Sequence, residues 1–180
     1  MTSRGDTTFT IGGLPDPIPL ALNVWRGHPR WFDALDAGGS RISSARFHRA
    51  PDRYPETDTW PALYASLELT TSLAEIMRSR EPQGARDIRL TEIAVELAVV
   101  ADRGDLEALG IDRERLFADW DFTLAHALAK QVRADGVEAL LVPSASGLGD
   151  NLIVFPDRLR PTSTLTVVRS VDPKLIKDPR

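Results

Sequence analysis

Between residues 93 and 99 the chain alternates without a break: Ile93, Val95, Leu97 and Val99 are separated by Ala94, Glu96 and Ala98. A two-residue period collects those four side chains on one face of an extended chain and scatters them around a helix, so the segment reads as a strand with one face in a core. Apolar runs at 137–142 and 152–155 flank a turn over 143–150 and read as two more strands. Residues 21–26, 60–66 and 165–170 supply a first strand, a short one and a last one, and 41–48 reads as a further extended piece after the turn Gly38-Gly39-Ser40. Residues 49–59, with two prolines and many charges, read as loop.

Two segments instead carry the helical period. Leu69, Leu73, Ile76 and Met77 share a face of a helix over 67–80, with Ser66 or Thr70 as its cap and Glu81-Pro82 as its end. Leu124, Leu128 and Val132 do the same in Thr123–Ala134, and Gly136 stops that helix. Five or more strands around two main helices, without regular strand–helix alternation, predict a single α+β domain rather than a doubly wound sheet. Residues 1–20, rich in Thr, Gly, Pro and Asp, read as an arm, 21–171 as the domain, and 172–180 as a tail.

Composition narrows the function classes. With 42% hydrophobic and 27% charged residues, a chain of 180 can bury a core and hardly has room for two domains. A net charge of -4 without any Lys/Arg-rich run argues against direct nucleic-acid binding. The absence of cysteine removes disulfides, thiolate catalysis and zinc–thiolate sites, and suits a reducing cytoplasm. No stretch approaches the 18 apolar residues of a membrane span, and the N-terminus lacks the apolar run of a signal peptide, so a cytoplasmic protein is expected. The three histidines form no HEXXH or HXH pair, so no metal site is expected. Neither GxGxxG nor GxxxxGK[ST] occurs, and Ser144-Ala145-Ser146-Gly147 is not a GxSxG elbow.

What remains is a set of polar residues at the ends of apolar segments. Arg26 follows Val24-Trp25, Arg46 follows Ser43-Ser44-Ala45, Tyr64 lies inside WPALYAS, and Glu75 lies within Leu73-Ala74-Glu75-Ile76-Met77. A carboxylate among apolar neighbours is costly when buried unpaired, so Glu75 either faces a cleft or a cation, or lies on the solvent face paired with Arg78 or Arg80. Trp25, Phe47, Ile93, Val95, Leu97, Leu140 and Leu141 read as core. Trp31, Phe32 and Trp120 either rim a pocket or bury.

The ordered set VWR, ARFH, LYAS, LAE and VPSASGLGDNLIVFP, spread over residues 22–156, resembles the RES family, named for its arginine, glutamate and serine. Matched position by position, Arg26 and Arg46 fall on the family arginines, Tyr64 on the tyrosine, Glu75 on the glutamate, Ser144 on the serine and Asn151 on the asparagine. The sequence departs from the family's Gly-Gly-Arg-Trp-Asn: Gly38-Gly39 lie well before Ala45-Arg46-Phe47-His48, and the stretch from Arg46 to Tyr64 is long.

The resemblance implies an ADP-ribosyltransferase-like fold, a mixed split sheet with flanking helices. It also implies an enzyme that consumes NAD as substrate, with no cofactor, acting as the toxin of a toxin–antitoxin pair. The expected reaction cleaves the nicotinamide–ribose bond with inorganic phosphate or water. Transfer of ADP-ribose to a cellular protein is the alternative, and a catalytically silent binding module of the same fold is the other. The expected partner is an Xre-like antitoxin with a helix-turn-helix domain, with neither nucleic acid nor membrane bound directly. Arginine suits a diphosphate because its guanidinium is bidentate and permanently charged, which casts Arg26 and Arg46 as clamps. Glu75 would stabilise an oxocarbenium-like state, and Tyr64 would stack on the cationic nicotinamide ring. Arg46, Tyr64 and Glu75 are thus the catalytic candidates. His48, Ser144 and Asn151 are binding candidates, though a surface histidine, a plain turn serine and an asparagine capping its own turn remain open.

Overall fold

The structure is a computed structural model that describes residues 16–79, 87–102 and 110–173. It is α+β, with six strands and three α-helices among the described residues. The strands are β1 (Ile18–Pro29), β2 (Leu63–Ser66), β3 (Ile88–Asp102), β4 (Ala139–Pro143), β5 (Asp150–Val154) and β6 (Thr164–Val171). The helices are α1 (Leu69–Ser79), α2 (Arg113–Leu116) and α3 (Thr123–Ala134). No described helix is long and apolar enough to cross a membrane.

The sheet is mixed and split. One half is antiparallel β1–β3–β6, and the other is β2–β5–β4, also antiparallel. The halves meet twice: through the single pair Trp25–Ser66 between β1 and β2, and through a short parallel run, Val100–Asp102 against Ala139–Leu141, between β3 and β4. The pairings therefore form a closed circuit, β1–β2–β5–β4–β3–β1, with β6 outside it on β3.

Alternation sorts the side chains between two cores. Leu63 and Ala65 of β2, Ala139 of β4, and Leu152 and Val154 of β5 pack with Val24, Ile93, Val95, Leu97 and Val100 from the other half. The intervening Leu140, Val142 and Ile153 turn the other way, against Leu116, Leu124, Leu128 and Val132 of α2 and α3 and against Phe47, Trp60 and Phe155. Burying each large apolar side chain contributes about 1.5–3 kcal/mol, so α2 and α3 hold the sheet through this second core.

One carboxylate braces the circuit. Glu138, just before β4, is fully buried. Its Oε2 accepts from the backbone N–H groups of Ala98 and Val99 at 2.8 Å each, and its Oε1 accepts from that of Arg160 at 2.7 Å. Burial pushes its carboxyl pKa up, but the N–H groups of Arg160, Val99 and Ala98 and the Ser163 hydroxyl outweigh that and hold it below the ordinary value.

Several sequence expectations change. The piece at 41–48 is not a strand: a 3-10 turn over Gly38–Arg41 leads into bends held by isolated bridges, Ala45–His48 and Arg49–Trp60. β1 starts at Ile18, inside the stretch read as an arm, and β3 runs well past 93–99 at both ends. Ser66 belongs to β2 and gives its hydroxyl to Asn151, so it does not cap α1, and Thr70 lies within that helix. Met77 is 74% exposed rather than on the packed face. Trp31, Phe32 and Trp120 are exposed rather than buried. Helix α2 carries no sequence expectation. The helix end at Glu81-Pro82, Arg80 and the outer parts of the arm and tail lie outside the described residues.

All three histidines are buried and bonded through both ring nitrogens. His28 bonds the Pro29 carbonyl and Thr91, His48 bonds Tyr64 and the Ser43 carbonyl, and His126 bonds Tyr54 and the Ala45 carbonyl. Burial lowers the pKa of each below the ordinary imidazole value. As pH falls below about 6.5, the unfolded chain therefore takes up protons before the folded one does. Stability is full above that pH and declines beneath it, by up to about 1.4 kcal/mol per pH unit for each histidine that stays neutral. The lowered carboxylates Asp58, Glu138 and Asp157 lose their stabilisation in the same direction, only below about pH 4. Urea midpoints at pH 7.5, 6.5 and 5.5 should fall over the last interval; a flat series would refute the neutral-histidine assignment.

Candidate active site

A cavity of about 480 Å³ opens beside the seam where β1 and β2 share their single residue pair. Its wall includes Trp25, Arg26 and Gly27 from β1, Tyr64, Ala65 and Ser66 from β2, and Asn151 from β5. Helix α1 adds Ser72, Glu75 and Ile76, and the segment around the first 3-10 turn adds Ala37, Gly39, Ser40, Ala45 and His48. Five of the residues singled out in the sequence, Arg26, His48, Tyr64, Glu75 and Asn151, thus meet in one place.

Glu75 is half-buried and held on one side. Its Oε1 accepts from the Ser144 hydroxyl at 2.5 Å and from the Asn151 amide at 2.9 Å. The Asn151 oxygen in turn accepts from Ser66 at 2.8 Å, and Ser146 lies 2.6 Å from the Ser144 hydroxyl. Register builds this chain: Ser66 and Asn151 are direct partners across β2–β5, and Ser66 lies two residues beyond Tyr64, on the same face. Ser144 is buried, lies behind Glu75 and does not line the cavity. Glu75 lines the cavity and Arg78 pairs with Asp119, so the pairing with Arg78 is not formed, while Arg80 lies outside the described residues. Among the described residues both protein bonds go to Oε1, which leaves Oε2 for a bound group.

Arg26 is anchored by two backbone carbonyls, Ala34 at 2.6 Å and Asp36 at 2.8 Å. Burial lowers its pKa to about 10, countered by Asp36 and Asp33, so it remains a cation at neutral pH. A guanidinium carries five N–H donors, and two carbonyls leave several for an anion. Arg46 is placed differently. It donates to the carbonyls of Leu116 and Ala118 and pairs with Asp119, with Phe117 and Phe122 each 5.6 Å from its guanidinium carbon. It does not line the cavity. Burial, ahead of the opposing Asp119 charge, lowers its pKa from the usual arginine value.

Tyr64 contributes a ring to the cavity wall while its hydroxyl bonds inward, accepting from the Phe47 N–H at 2.9 Å and lying 2.9 Å from His48 Nδ1. Burial raises the phenol pKa above its ordinary value, so the group stays protonated. Among the described residues no three His, Asp or Glu side chains gather as a metal site requires.

The turn behind Glu75 depends on two glycines with positive φ. Gly149, at φ +57, lies so close to α1 that a Cβ there would meet Thr71 Oγ1 at 2.6 Å, whereas Gly147, at φ +79, faces open space. Gly147→Ala should cost about 1–2 kcal/mol from the left-handed backbone alone. Gly149→Ala should cost clearly more, because Thr71 lies one turn before Glu75 on a packed helix face. Paired thermal melts test this, and equal losses would show that the close approach does not matter.

Trp25, Ser66, Ser72 and Ile76 are site residues that sequence reasoning did not select. Trp25 was read as core and Ser66 as a cap; the shared face of Tyr64 and Ser66 in a two-residue period was the available signal.

An α+β domain with a cavity at the seam of a split sheet, backed by a glutamate that a serine and an asparagine hold, is the class of protein that this geometry defines. The chain belongs to the RES domain family, whose model matches residues 23–174. A chain in the crystal structure of the M. tuberculosis MbcT–MbcA toxin–antitoxin complex is similar in fold, with a TM-score of 0.67 and 20% sequence identity, covering 87% of this chain and 86% of that one. A comparison with curated protein sequences finds no match.

Proposed function

We propose that this chain is an NAD-consuming toxin of a toxin–antitoxin pair that cleaves the nicotinamide–ribose bond by phosphorolysis or hydrolysis. The observation that carries the reading is Glu75, fixed through Oε1 by Ser144 and Asn151 at the wall of a cavity that also presents Arg26 and the Tyr64 ring. Arg26 takes the diphosphate, and the Tyr64 ring faces the cationic nicotinamide. As the carbon–nitrogen bond breaks, its electron pair leaves with the nicotinamide nitrogen and positive charge spreads over the ribose. Glu75 Oε2 stabilises that charge and holds a ribose hydroxyl. A water or phosphate oxygen then bonds to the ribose carbon, giving ADP-ribose or its phosphate, and one proton passes to solvent when water attacks.

The Arg46 guanidinium is engaged by Leu116, Ala118 and Asp119, so the proposal rests on Arg26, Tyr64 and Glu75. We include in it a cytoplasmic setting and a cognate Xre-like antitoxin. The MbcT–MbcA structure is itself a toxin–antitoxin complex, which supports the antitoxin part.

The test incubates the purified chain with NAD, with and without phosphate, and follows nicotinamide. Release that rises with phosphate selects phosphorolysis, and release that ignores it selects hydrolysis. Release only when cell extract is added, with label on protein, selects transfer of ADP-ribose. No release under any condition rejects the enzymatic reading in favour of a silent module.

A further inference from the structure

His48 was a candidate ligand contact, yet both of its ring nitrogens are spent within the protein. Nε2 lies 2.6 Å from the Ser43 carbonyl, and Nδ1 lies 2.9 Å from the Tyr64 hydroxyl. A carbonyl carries no proton, so Nε2 carries the hydrogen of that bond. In the neutral ring Nδ1 is then bare and accepts. The Tyr64 oxygen already accepts from the Phe47 N–H, so its own hydrogen is the one that reaches Nδ1. The order of donors is thereby fixed: Phe47 N–H to Tyr64, Tyr64 O–H to His48 Nδ1, His48 Nε2–H to Ser43. The two rings stand edge to face, with centroids 5.7 Å apart and planes at 68°. Burial of the ring, which lowers the imidazole pKa, keeps it in the neutral form this order needs.

We propose that His48 is a positioning residue for Tyr64: it takes the phenol proton and thereby holds the Tyr64 ring as a stacking face rather than a proton donor. The proposal rests on the functional reading above and deepens it. With its hydrogen committed to His48 and one lone pair committed to Phe47, Tyr64 offers the cavity a fixed aromatic surface and a single acceptor lone pair. It cannot protonate a leaving group. That suits nicotinamide, which departs with the bond's electron pair on a nitrogen that was already cationic and therefore needs no proton at the moment of cleavage.

Two near-isosteric substitutions separate positioning from loop anchoring. In His48→Asn the amide oxygen stands where Nδ1 stood, so Tyr64 keeps its acceptor while the Ser43 bond is lost. In His48→Gln the amide N–H reaches the Ser43 carbonyl while the acceptor at the Nδ1 position is lost. The expected result is that His48→Asn retains kcat/KM for nicotinamide release within about threefold of wild type, and that His48→Gln loses tenfold or more. Equal activity of His48→Gln and wild type, or rescue by Gln and not by Asn, would overturn the proposal while leaving the functional reading intact.

A second measurement needs no substitution to fold and no turnover. Long-range proton–nitrogen correlation spectra of the unmodified chain should show two of the three histidines, His48 and His126, as Nε2–H tautomers with a bare Nδ1, and only one of these two Nδ1 signals should shift in Tyr64→Phe. A His48 protonated on Nδ1 at neutral pH would overturn the inference outright. Should the wild-type chain release no nicotinamide, the functional reading fails, and positioning is decided by affinity for free nicotinamide. That affinity should again hold in His48→Asn and fall tenfold in His48→Gln, and absence of any nicotinamide binding would defeat both ideas.

Discussion

Glu75→Gln should lower kcat for nicotinamide release by about 10²–10³, the range found when one well-placed electrostatic group is removed from an enclosed site. Gln is the informative substitution because its side-chain oxygen can still accept from Ser144 and Asn151, the two bonds that Oε1 accepts in the native chain. The carboxamide then keeps the shape of the wall and loses only the charge. On the proposed mechanism that charge matters most when the ribose becomes cationic, so kcat should fall with little change in KM. The thermal midpoint should stay within a few degrees of wild type. A loss of less than tenfold in kcat would remove Glu75 from the reaction. A large loss accompanied by a collapsed melting transition would instead show that the residue is mainly structural.

The largest stability effect should come from Glu138→Ala. Around this fully buried side chain three part-buried backbone N–H groups, those of Ala98, Val99 and Arg160, lose their carboxylate acceptor at once, and only Ala98 keeps another, the Ser163 hydroxyl at 3.3 Å. Each bond to a charged acceptor is worth about 1.5–3 kcal/mol, and a buried donor left unpaired costs about 1–3 kcal/mol. The expected loss is therefore at least about 3 kcal/mol, a large part of the margin of a domain this size. Glu138→Gln should fall between wild type and Ala, since its amide keeps one acceptor oxygen. Urea unfolding at pH 7.5 measures both. A Glu138→Ala chain within 1 kcal/mol of wild type, on the scale of an ordinary surface substitution, would show that water reaches these groups and that the carboxylate is not a brace.

Local rules carried the fold as far as local rules reach. The alternation of Ile93, Val95 and Leu97 and the helical spacing of Leu124, Leu128 and Val132 were visible because a single core face imposes each pattern, whereas Val99, read as part of the same face, packs against the other core while Val100 joins Leu97. The full length of β3 was not, since Arg89 and Glu92 interrupt the apolar pattern near its start. Residues 41–48 read as an extended piece after the turn Gly38-Gly39-Ser40, but that stretch is fixed by side-chain bonds instead: the Ser43 and Ala45 carbonyls bond His48 and His126, and Ser44 bonds Asp52. The residue types around the cavity were legible in Arg26, Tyr64, Glu75 and Asn151. What each touches was not, because the pairing of Ser66 with Asn151 and the docking of Arg46 between Phe117 and Phe122 depend on tertiary neighbours. Glu138 gave no signal, as a glutamate shortly after Gly136 reads as an ordinary surface residue.

The closed circuit of strands also has a consequence for synthesis. Arg26 is made well before β3, with which β1 completes its pairing, and before the glutamate's two supports, Ser144 and Asn151. Pairings between segments so distant in sequence carry a high loop-closure cost and form late. A nascent or truncated chain ending before β5 therefore lacks both the cavity wall and the groups that hold Glu75. On the function proposed here, activity begins only once β4, β5 and the turn between them have been made and paired, which gives a neutralising partner made alongside it that interval in which to accumulate.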